Sequence, residues 1–295
     1  MTILNLHMKR LSSPTWKQKI LFLGIFFISL CFPAPGTAAT DVLDNICDVV
    51  AEGKSILGDD TTPAQAKALA LNEARRIAIE MASGILVNSS SVVYNWQLIS
   101  DLISAFSKGL IVREDILFSG IRTEDGHAVY ACRIKARIKT LKLETKKDIR
   151  IIKAEVTRAD SPFAMTSPVF QDNDEIRIKV RTEGLSTMNI FSVSQDGRVT
   201  RLLPNPYMEQ KTIPSSRDFI FPNDALRKAG FKLRVHTPKN LSRAYETIVV
   251  IATKEIKVFL SGENKDATLS DLMHDLSQVE QSSWADAVIG YEVRR

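Results

Sequence analysis

Hydrophobic spacing along residues 40–145 predicts a small mixed domain that begins with a strand at 49–57. A helix is expected next, because Thr62 is a good N-cap, Pro63 suits the first helical position and Gln65 completes a capping box. Small apolar residues then recur every three or four positions, which predicts a helix face that packs closely on a sheet. These residues are Ala66, Ala70, Ala74, Ile77 and Met81.

The remainder of this region predicts one more short strand, one more helix and a hairpin. The strand is expected at 91–94 and the helix at 98–106, where leucine, isoleucine and phenylalanine share one face. Strands at 110–121 and 128–138 flank the sequence Glu-Asp-Gly at 124–126, which is a hairpin signal. The expected order is therefore β-α-β-α-β-β.

Within the strand at 128–138, charged and apolar residues alternate with a period of two. Arg133, Lys135 and Arg137 fall on one face, and Cys132 lies with the apolar residues of the other. This alternation predicts one buried and one solvated face. The basic row is interpreted first as solvated surface, with an interaction ribbon for an acidic partner or anionic lipid headgroups as the alternative.

A second hairpin is predicted further along the chain. Residues 189–193 and 199–203 are rich in β-branched and apolar residues, and Asp196 and Gly197 supply a turn between them. Pro204 stops the returning strand, since proline cannot donate a hydrogen bond to a sheet. This hairpin is the centre of the second half of the chain.

Further strands around this hairpin predict a mainly antiparallel, sandwich-like domain. A helical turn is expected at 223–230, and Thr268 is expected to cap a C-terminal helix before a final strand at 287–293. Trp284 is expected to pack on the core. The fold class is therefore α+β, a small β-α-β-α-β-β domain followed by a β-sandwich-like domain with a C-terminal helix. The other expected strands lie at 174–180, 218–221, 231–236 and 245–253.

The hairpin sequence Ser-x-Asp-Gly-x-Val-x-x-Leu-Leu-Pro-Asn, which ends at Asn205, resembles the bacterial domain-of-unknown-function 4384 (DUF4384) family. Asp196, Gly197, Pro204 and Asn205 carry this signature. The resemblance extends over about residues 168–260. The family has no established chemistry, so the resemblance implies a fold and no reaction.

A second resemblance covers about 100 residues of the first domain. It rests on Ala-Glu-Gly at 51–53, Ala-Arg-Arg-Ile-Ala at 74–78, the segment 100–109 and the strand around Tyr130. This pattern resembles the amino-terminal domain of flagellar assembly protein T, to which domains of small envelope lipoproteins are related. It implies a scaffold or adaptor of the cell envelope.

Residues 1–39 have the features of an export signal. Four basic residues and no acid precede an uncharged run at 20–32, and small residues follow up to Ala39, the expected cleavage position. The apolar run of 13 residues is shorter than the roughly 20 that a spanning helix needs, so an uncleaved anchor is the weaker alternative. After residue 39, 35 basic and 34 acidic residues remain, a balance that does not favour nucleic-acid binding.

The expected plan is a signal peptide at 1–39, the first domain at 40–148, a connector at 149–167 and the second domain at 168–295. Within the connector, residues 149–157 could form a strand of either domain. No transmembrane helix is expected after signal removal. Cys47 and Cys132 could form a disulfide in an oxidising periplasm or remain buried thiols. With the scattered histidines at 127, 236 and 274, they do not predict a zinc site.

The sequence contains no G-x-S-x-G elbow, Walker loop, Rossmann fingerprint or H-E-x-x-H motif. No cofactor and no metal is therefore expected. The leading hypothesis is an exported, non-enzymatic envelope scaffold or adaptor that binds other envelope proteins and possesses no recognised catalytic residue. The expected location is the periplasm or the outer membrane of a Gram-negative-type bacterium, with peripheral membrane contact an open alternative. An exported hydrolase acting on envelope material and a periplasmic ligand or peptide sensor are the competing hypotheses.

Overall fold

The computed structural model describes residues 46–58, 61–84, 101–102, 105–142, 146–161, 168–194, 197–237, 241–261 and 267–295. All of them belong to one compact unit, Leu43–Arg295. The expected signal peptide with Ala39, the strand at 91–94, most of the helix at 98–106 and Asp196 lie outside the described residues.

A three-stranded antiparallel sheet forms the first layer, and the strand that comes third in the sequence lies in the middle of this sheet. Its members are β1 (Ile46–Ile56), β2 (Gly109–Glu124) and β3 (His127–Thr140). The predicted hairpin between β2 and β3 is confirmed, and its turn residues Asp125 and Gly126 both have positive φ, 48° and 79°. Such angles match the twist of a two-residue hairpin.

One face of this sheet is covered by helix α1 (Pro63–Ala82), whose predicted capping box at Thr62 and Gln65 is present. The small-residue face is also confirmed up to Ala74, which is fully buried, whereas Met81 is 48 % exposed. A Cβ on Gly53 of β1 would lie 2.2 Å from the backbone of Ala70 and of Ala74. The helix therefore packs on β1 more closely than any side chain at 53 would allow.

Two further sheets form the predicted sandwich. The first has the order β5-β12-β11-β7-β8, and the second consists of β10-β6-β4 with β9 also paired to β6. All pairs are antiparallel except β5 with β12. The strands are β4 (Arg150–Arg158), β5 (Val169–Gln171), β6 (Glu175–Glu183), β7 (Thr187–Ser194), β8 (Val199–Leu203), β9 (Asp218–Phe221), β10 (Leu233–Arg234), β11 (Arg243–Thr253) and β12 (Trp284–Arg294).

The described residues also form two further α-helices, α2 (Asp224–Lys228) and α3 (Leu269–Ser277), and two short 3-10 helices, Ala105–Ser107 and Gln281–Ser283. Thr268 caps α3 in a capping box with Asp271, so the predicted start of this helix is confirmed. Trp284 is fully buried, as expected. No described helix has the length and apolar character required to cross a membrane.

The five-stranded sheet has a hydrophobic core on each side. One core lies between the two sheets of the sandwich. The other joins Phe191 of β7 and Val249 of β11 to α3, α1 and the inner face of β3. The two regions predicted as separate domains therefore share a core within one compact unit.

Two sequence expectations can be compared with the described strands in detail. The strand that 149–157 of the connector could form is present as β4, and it belongs to the second region, because it pairs with β6 and contributes Val156 to the sandwich core. The strand expected at 231–236 is reduced to the two residues of β10. β10 pairs with Glu175 and Ile176 of β6 and then ends. The next residue, Val235, forms backbone hydrogen bonds with Asn173 and Asp174 in the turn before β6.

Candidate binding groove

The Pro-Asn end of the hairpin forms a loop that the asparagine side chain holds together. The peptide bond from Leu203 to Pro204 is cis. Asn205 Oδ1 accepts hydrogen bonds from the backbone N–H groups of Tyr207 and Met208, both at 2.9 Å. Its Nδ2 donates to the carbonyl of Leu202 at 2.7 Å. Asn205 therefore has a structural role, because its side chain replaces backbone partners that an irregular loop lacks.

A second Pro-Asn pair, Pro222-Asn223, lies beside this loop. The Phe221–Pro222 peptide bond is also cis. Asn223 Oδ1 accepts from the backbone N–H of Leu226 at 2.9 Å and so caps α2. This loop was missed as a candidate functional segment. The repeated dipeptide, each time after a strand ending in a large apolar residue, is the signal that could have identified it.

The two Pro-Asn loops enclose an open groove with a volume of about 440 Å³. We call it the Pro-Asn groove. Its apolar lining comes from Met208, Ala225 and Leu226, and Glu209 and Lys211 add one charge of each sign. Ligand sites of proteins commonly have volumes of 300–1,000 Å³ and a mostly apolar lining. The groove is therefore large enough for a side chain and the backbone around it.

A series of contacts between tilted aromatic rings connects this groove to the sandwich core. Tyr207 is 74 % exposed. Its ring centroid lies 5.5 Å from that of Phe231, which in turn lies 5.8 Å from the ring of buried Phe221. An exposed tyrosine supported in this way offers a large contact surface at low conformational cost.

The α2 wall of the groove is fixed to β6 by two ion pairs. Arg177 Nη2 lies 2.6 Å from Asp224 Oδ1, and Arg227 Nε lies 2.5 Å from Glu175 Oε1. The hydrogen bond from Arg227 lowers the pKa of Glu175, which keeps that carboxylate charged. The groove residues therefore stand on a rigid support, as a preformed binding site requires.

The polar groups that line the groove are of four different kinds. Its lining brings together one carboxylate, one ammonium group, one phenol and one amide. Within the described ranges, no three residues of the types His, Cys, Asp and Glu form a group that could hold a metal ion. The arrangement can hold an apolar or aromatic group and bond to a backbone.

The remaining signature residues occupy different places. Gly197 lies at the tip of the β7–β8 hairpin with φ +79°, as the turn prediction required, whereas Pro204 and Asn205 lie at the other end of β8. The signature residues therefore have two structural roles: Gly197 forms a tight turn, and Asn205 holds a loop together through its side-chain hydrogen bonds.

The basic row is exposed, as the alternation predicted, but it faces acids of β1. Arg133 and Arg137 stand directly opposite Glu52 and Asp48 in the sheet register. Arg133 Nη2 lies 2.7 Å from Glu52 Oε2, and Arg137 Nε lies 2.8 Å from Asp48 Oδ1. The hydrogen bond from Arg137 lowers the pKa of Asp48. Lys135 also reaches Asp48, at 3.6 Å. The row is thus an ion-pair ladder, and its use as an interaction ribbon stays a prediction.

The alternative of a disulfide between Cys47 and Cys132 is wrong for this fold, since both are free thiols. Both lie on the inner side of the first sheet, but Cys47 stands opposite Ile138 and Cys132 opposite Gly53. Six residues along β1 correspond to about 20 Å. A disulfide requires Cα atoms within about 7 Å of each other.

A carboxyl group is buried away from the groove, between the sheets of the sandwich. Glu246 of β11 stands opposite Tyr291 of β12, and Tyr291 Oη donates a hydrogen bond to Glu246 Oε2. Burial raises the pKa of Glu246, and the hydrogen bond from Tyr291 and the nearby His236 oppose that shift. Because no reacting group accompanies it among the described residues, we interpret this pair as part of the fold.

With this geometry established, comparison with protein families identifies the second half of the chain. A family model described as "Domain of unknown function (DUF4384)" matches residues 169–255. The matched range contains β5 to β11, and therefore both Pro-Asn loops and the groove. The DUF4384 resemblance of the second half is thereby confirmed. A search of curated proteins finds no match to this chain.

Proposed function

We propose that this protein is an exported, non-enzymatic scaffold or adaptor of the cell envelope, and that its DUF4384 region binds another envelope protein through the Pro-Asn groove. The observation that carries the proposal is the exposed Tyr207 ring beside a groove of mixed polar and apolar lining, between two loops that asparagine side chains hold together. Tyrosine is among the residues that typically contribute most of the binding energy at protein interfaces.

The ligand that fits best is a segment of a partner protein with an apolar or aromatic side chain. Such a side chain would lie against Met208 and Leu226 and stack on Tyr207. Glu209 and Lys211 at the groove offer one acceptor and one donor to the backbone of that segment. The single charges of opposite sign do not favour a strongly acidic or strongly basic ligand.

Export is proposed from the composition of residues 1–39, and the envelope role from the resemblance of the first domain to the amino-terminal domain of flagellar assembly protein T. The hydrophobic core shared by the first and second regions suits an adaptor, because a partner bound to one region would have a fixed orientation relative to the other region. Two surfaces in fixed orientation can position two partners relative to each other.

The proposal is tested by capturing partners from the envelope fraction with the wild-type chain, with Tyr207→Ala and with Leu185→Ala. Leu185 is 62 % exposed and lies outside the groove lining, so it is the matched control. We expect the wild type and Leu185→Ala to retain the same envelope protein. With Tyr207→Ala the recovered amount of that protein should fall at least tenfold, since central aromatic residues contribute about 2 kcal/mol or more to the binding free energy.

A reproducible partner that Tyr207→Ala retains as well as the wild type would contradict the assignment of the groove. Equal unfolding free energies of the two variants are the control for folding. A small free peptide recovered in place of a protein would favour the alternative of a periplasmic peptide sensor, which the same groove geometry supports.

A further inference from the structure

Strand β2 is an edge strand that leaves apolar residues exposed. It pairs with β3 on one side, apart from Val112 and Leu117 at two irregularities, and among the described residues no strand pairs with the other side. Ile116, Leu117 and Ile121 are 52 %, 54 % and 57 % exposed. A long apolar edge invites pairing with another chain unless the protein protects it. This edge lacks the prolines and the row of lysines that usually provide such protection.

The sequence of this edge is complementary to itself in reverse. When β2 is placed antiparallel to a second copy with a two-fold axis through Ser119, Ile116 meets Ile121 of the partner subunit, because the extra residue Leu117 adds no step to the ladder. In the same register Arg113 meets Glu124 of the partner subunit, and Asp115 meets the partner's Arg122. Because the contact is isologous, each of these pairs occurs twice.

We propose that β2 pairs edge to edge with β2 of a second copy of this chain, so that two three-stranded sheets form one six-stranded sheet. Cross-strand pairs of opposite charge and of β-branched residues are the interactions that stabilise antiparallel strands. The backbone groups of both edges would be satisfied at the same time.

The faces of the strand agree with this register. Arg113, Asp115, Arg122 and Glu124 stand opposite residues 137, 135, 129 and 127 of β3, so all four side chains lie on one face. Ile116 and Ile121 stand opposite 134 and 130 and therefore lie on the other face. The irregularity between Ile116 and Phe118 makes this possible, because an extra residue shifts the alternation of the strand by one.

The charges of the single chain also favour this partner. Arg113 stands opposite Arg137 of β3, and directly opposed like charges are destabilising. Its nearest acid is Asp115 at 3.5 Å, and the side chains are 70 % and 54 % exposed. Glu124 of the partner subunit would provide Arg113 with a counter-charge on the same face. The paired sheet would also double the ion-pair ladder on its outer surface.

Strand β1 is the other edge of the same sheet and the rival surface. Reversed on itself about Ala51, it would bring Ile46 to Ile56 and Asp48 to Lys54, but it would place Glu52 against Val50. Existing ion pairs do not separate the two edges, because Asp48 and Glu52 of β1 pair with β3, while Glu124 and Arg122 of β2 pair with Lys54 and Glu52; the misfit of Glu52 against Val50 does separate them. The β2 register is therefore the better match.

Register-specific cross-linking tests the proposal on the full chain with Cys31→Ser and Cys47→Ser, which leaves only the buried Cys132. Two tagged variants, Ile116→Cys and Ile121→Cys, are mixed and oxidised mildly. We expect a disulfide between the two different variants and at least tenfold less between two copies of Ile116→Cys, because those positions lie four ladder steps, about 14 Å, apart in the proposed register. Equal formation of all pairs, cross-linking only through Val50→Cys of β1, or no covalent dimer would overturn it.

Charge reversal provides an independent measurement by sedimentation velocity. Asp115→Arg places an arginine opposite Arg122 of the partner subunit at each end of the contact. We therefore expect the dimer dissociation constant to rise at least about tenfold. Adding Arg122→Asp exchanges the charges and is expected to restore most of the affinity. Circular dichroism confirms folding of each variant. A dimer that Asp115→Arg leaves unchanged, or a monomeric wild type at micromolar concentration, would contradict the proposal.

Discussion

Gly197 lies against the side chain of Asn72, so the tip of the β7–β8 hairpin touches helix α1. A Cβ on Gly197 would lie 3.0 Å from Asn72 Nδ2 and 3.3 Å from Oδ1. Asn72 is 1 % exposed, and its Oδ1 accepts a hydrogen bond from Arg75 Nη1 at 2.9 Å. Gly197, which belongs to the DUF4384 signature, therefore also contacts the first half of the chain.

We expect Gly197→Ala to destabilise the protein by about 2–3 kcal/mol in denaturant unfolding. About 1–2 kcal/mol comes from the positive φ, and the rest from displacing Asn72. Gly126→Ala is the matched control, because Gly126 has the same φ of +79° and nothing within 4 Å of its Cβ position. If the two substitutions cost the same, the contact with Asn72 contributes nothing.

The ion pair of Arg75 and Glu114 links α1 to β2 in a nearly buried position. Arg75 Nε lies 2.9 Å from Glu114 Oε2, and the side chains are 6 % and 16 % exposed. Arg75→Met is expected to cost about 3–5 kcal/mol, because it leaves a poorly solvated carboxylate without its partner. Urea unfolding of this variant measures the loss.

Arg150→Met is the control for that substitution. Arg150 pairs with Glu183, but the two side chains are 69 % and 53 % exposed. Its loss is expected to cost at most about 1 kcal/mol, since water screens such a pair. Adding Glu114→Met to Arg75→Met should recover most of the loss. An additive double variant would contradict a direct coupling between the two side chains.

Glu246 predicts a pH dependence of stability with a definite sign. Burial raises its pKa above the ordinary value of 4.5. The folded state therefore binds a proton more tightly than the unfolded state, and this contribution is fully present below pH 4.5 and is lost as the pH rises through the folded-state pKa. Each pH unit within that window lowers the unfolding free energy by at most about 1.4 kcal/mol.

Glu246→Gln tests this prediction, because the amide oxygen can still accept from Tyr291 but carries no charge. Unfolding free energies are measured for both proteins at pH 4 and pH 8. We expect the variant to gain stability relative to the wild type as the pH rises. The pKa of Asp286 is also raised by burial, but this group is common to both proteins and cancels in the comparison. A difference independent of pH would show that Glu246 does not titrate in this range.

Local structure could be predicted from the sequence where a short signal determines it. The capping box at Thr62, the N-cap at Thr268 and the bounds of β8 and β9 agree with the structure. These features depend on neighbouring residues and on well-defined backbone preferences. The same holds for the alternation in β3, which assigns Arg133 and Cys132 to opposite faces.

Contacts between distant segments could not be predicted in this way. The pairing of β4 with β6 and the shared core depend on which apolar faces meet, and many faces have similar composition. The groove arises because the loops after β8 and β9 converge, although their asparagines, Asn205 and Asn223, are 18 positions apart in the sequence. The sequence showed each Pro-Asn pair but not their proximity.

Photo-cross-linking in intact cells tests the central claim most directly. A photoreactive phenylalanine replaces Tyr207, and the control carries it at Ile152, which is 57 % exposed on β4 outside the groove. After irradiation, adducts are purified from the envelope fraction and identified by mass spectrometry. The account predicts one envelope protein joined at position 207 and not at 152. Recovery of only uncross-linked chain from both variants, or of the same adducts from both, would contradict it.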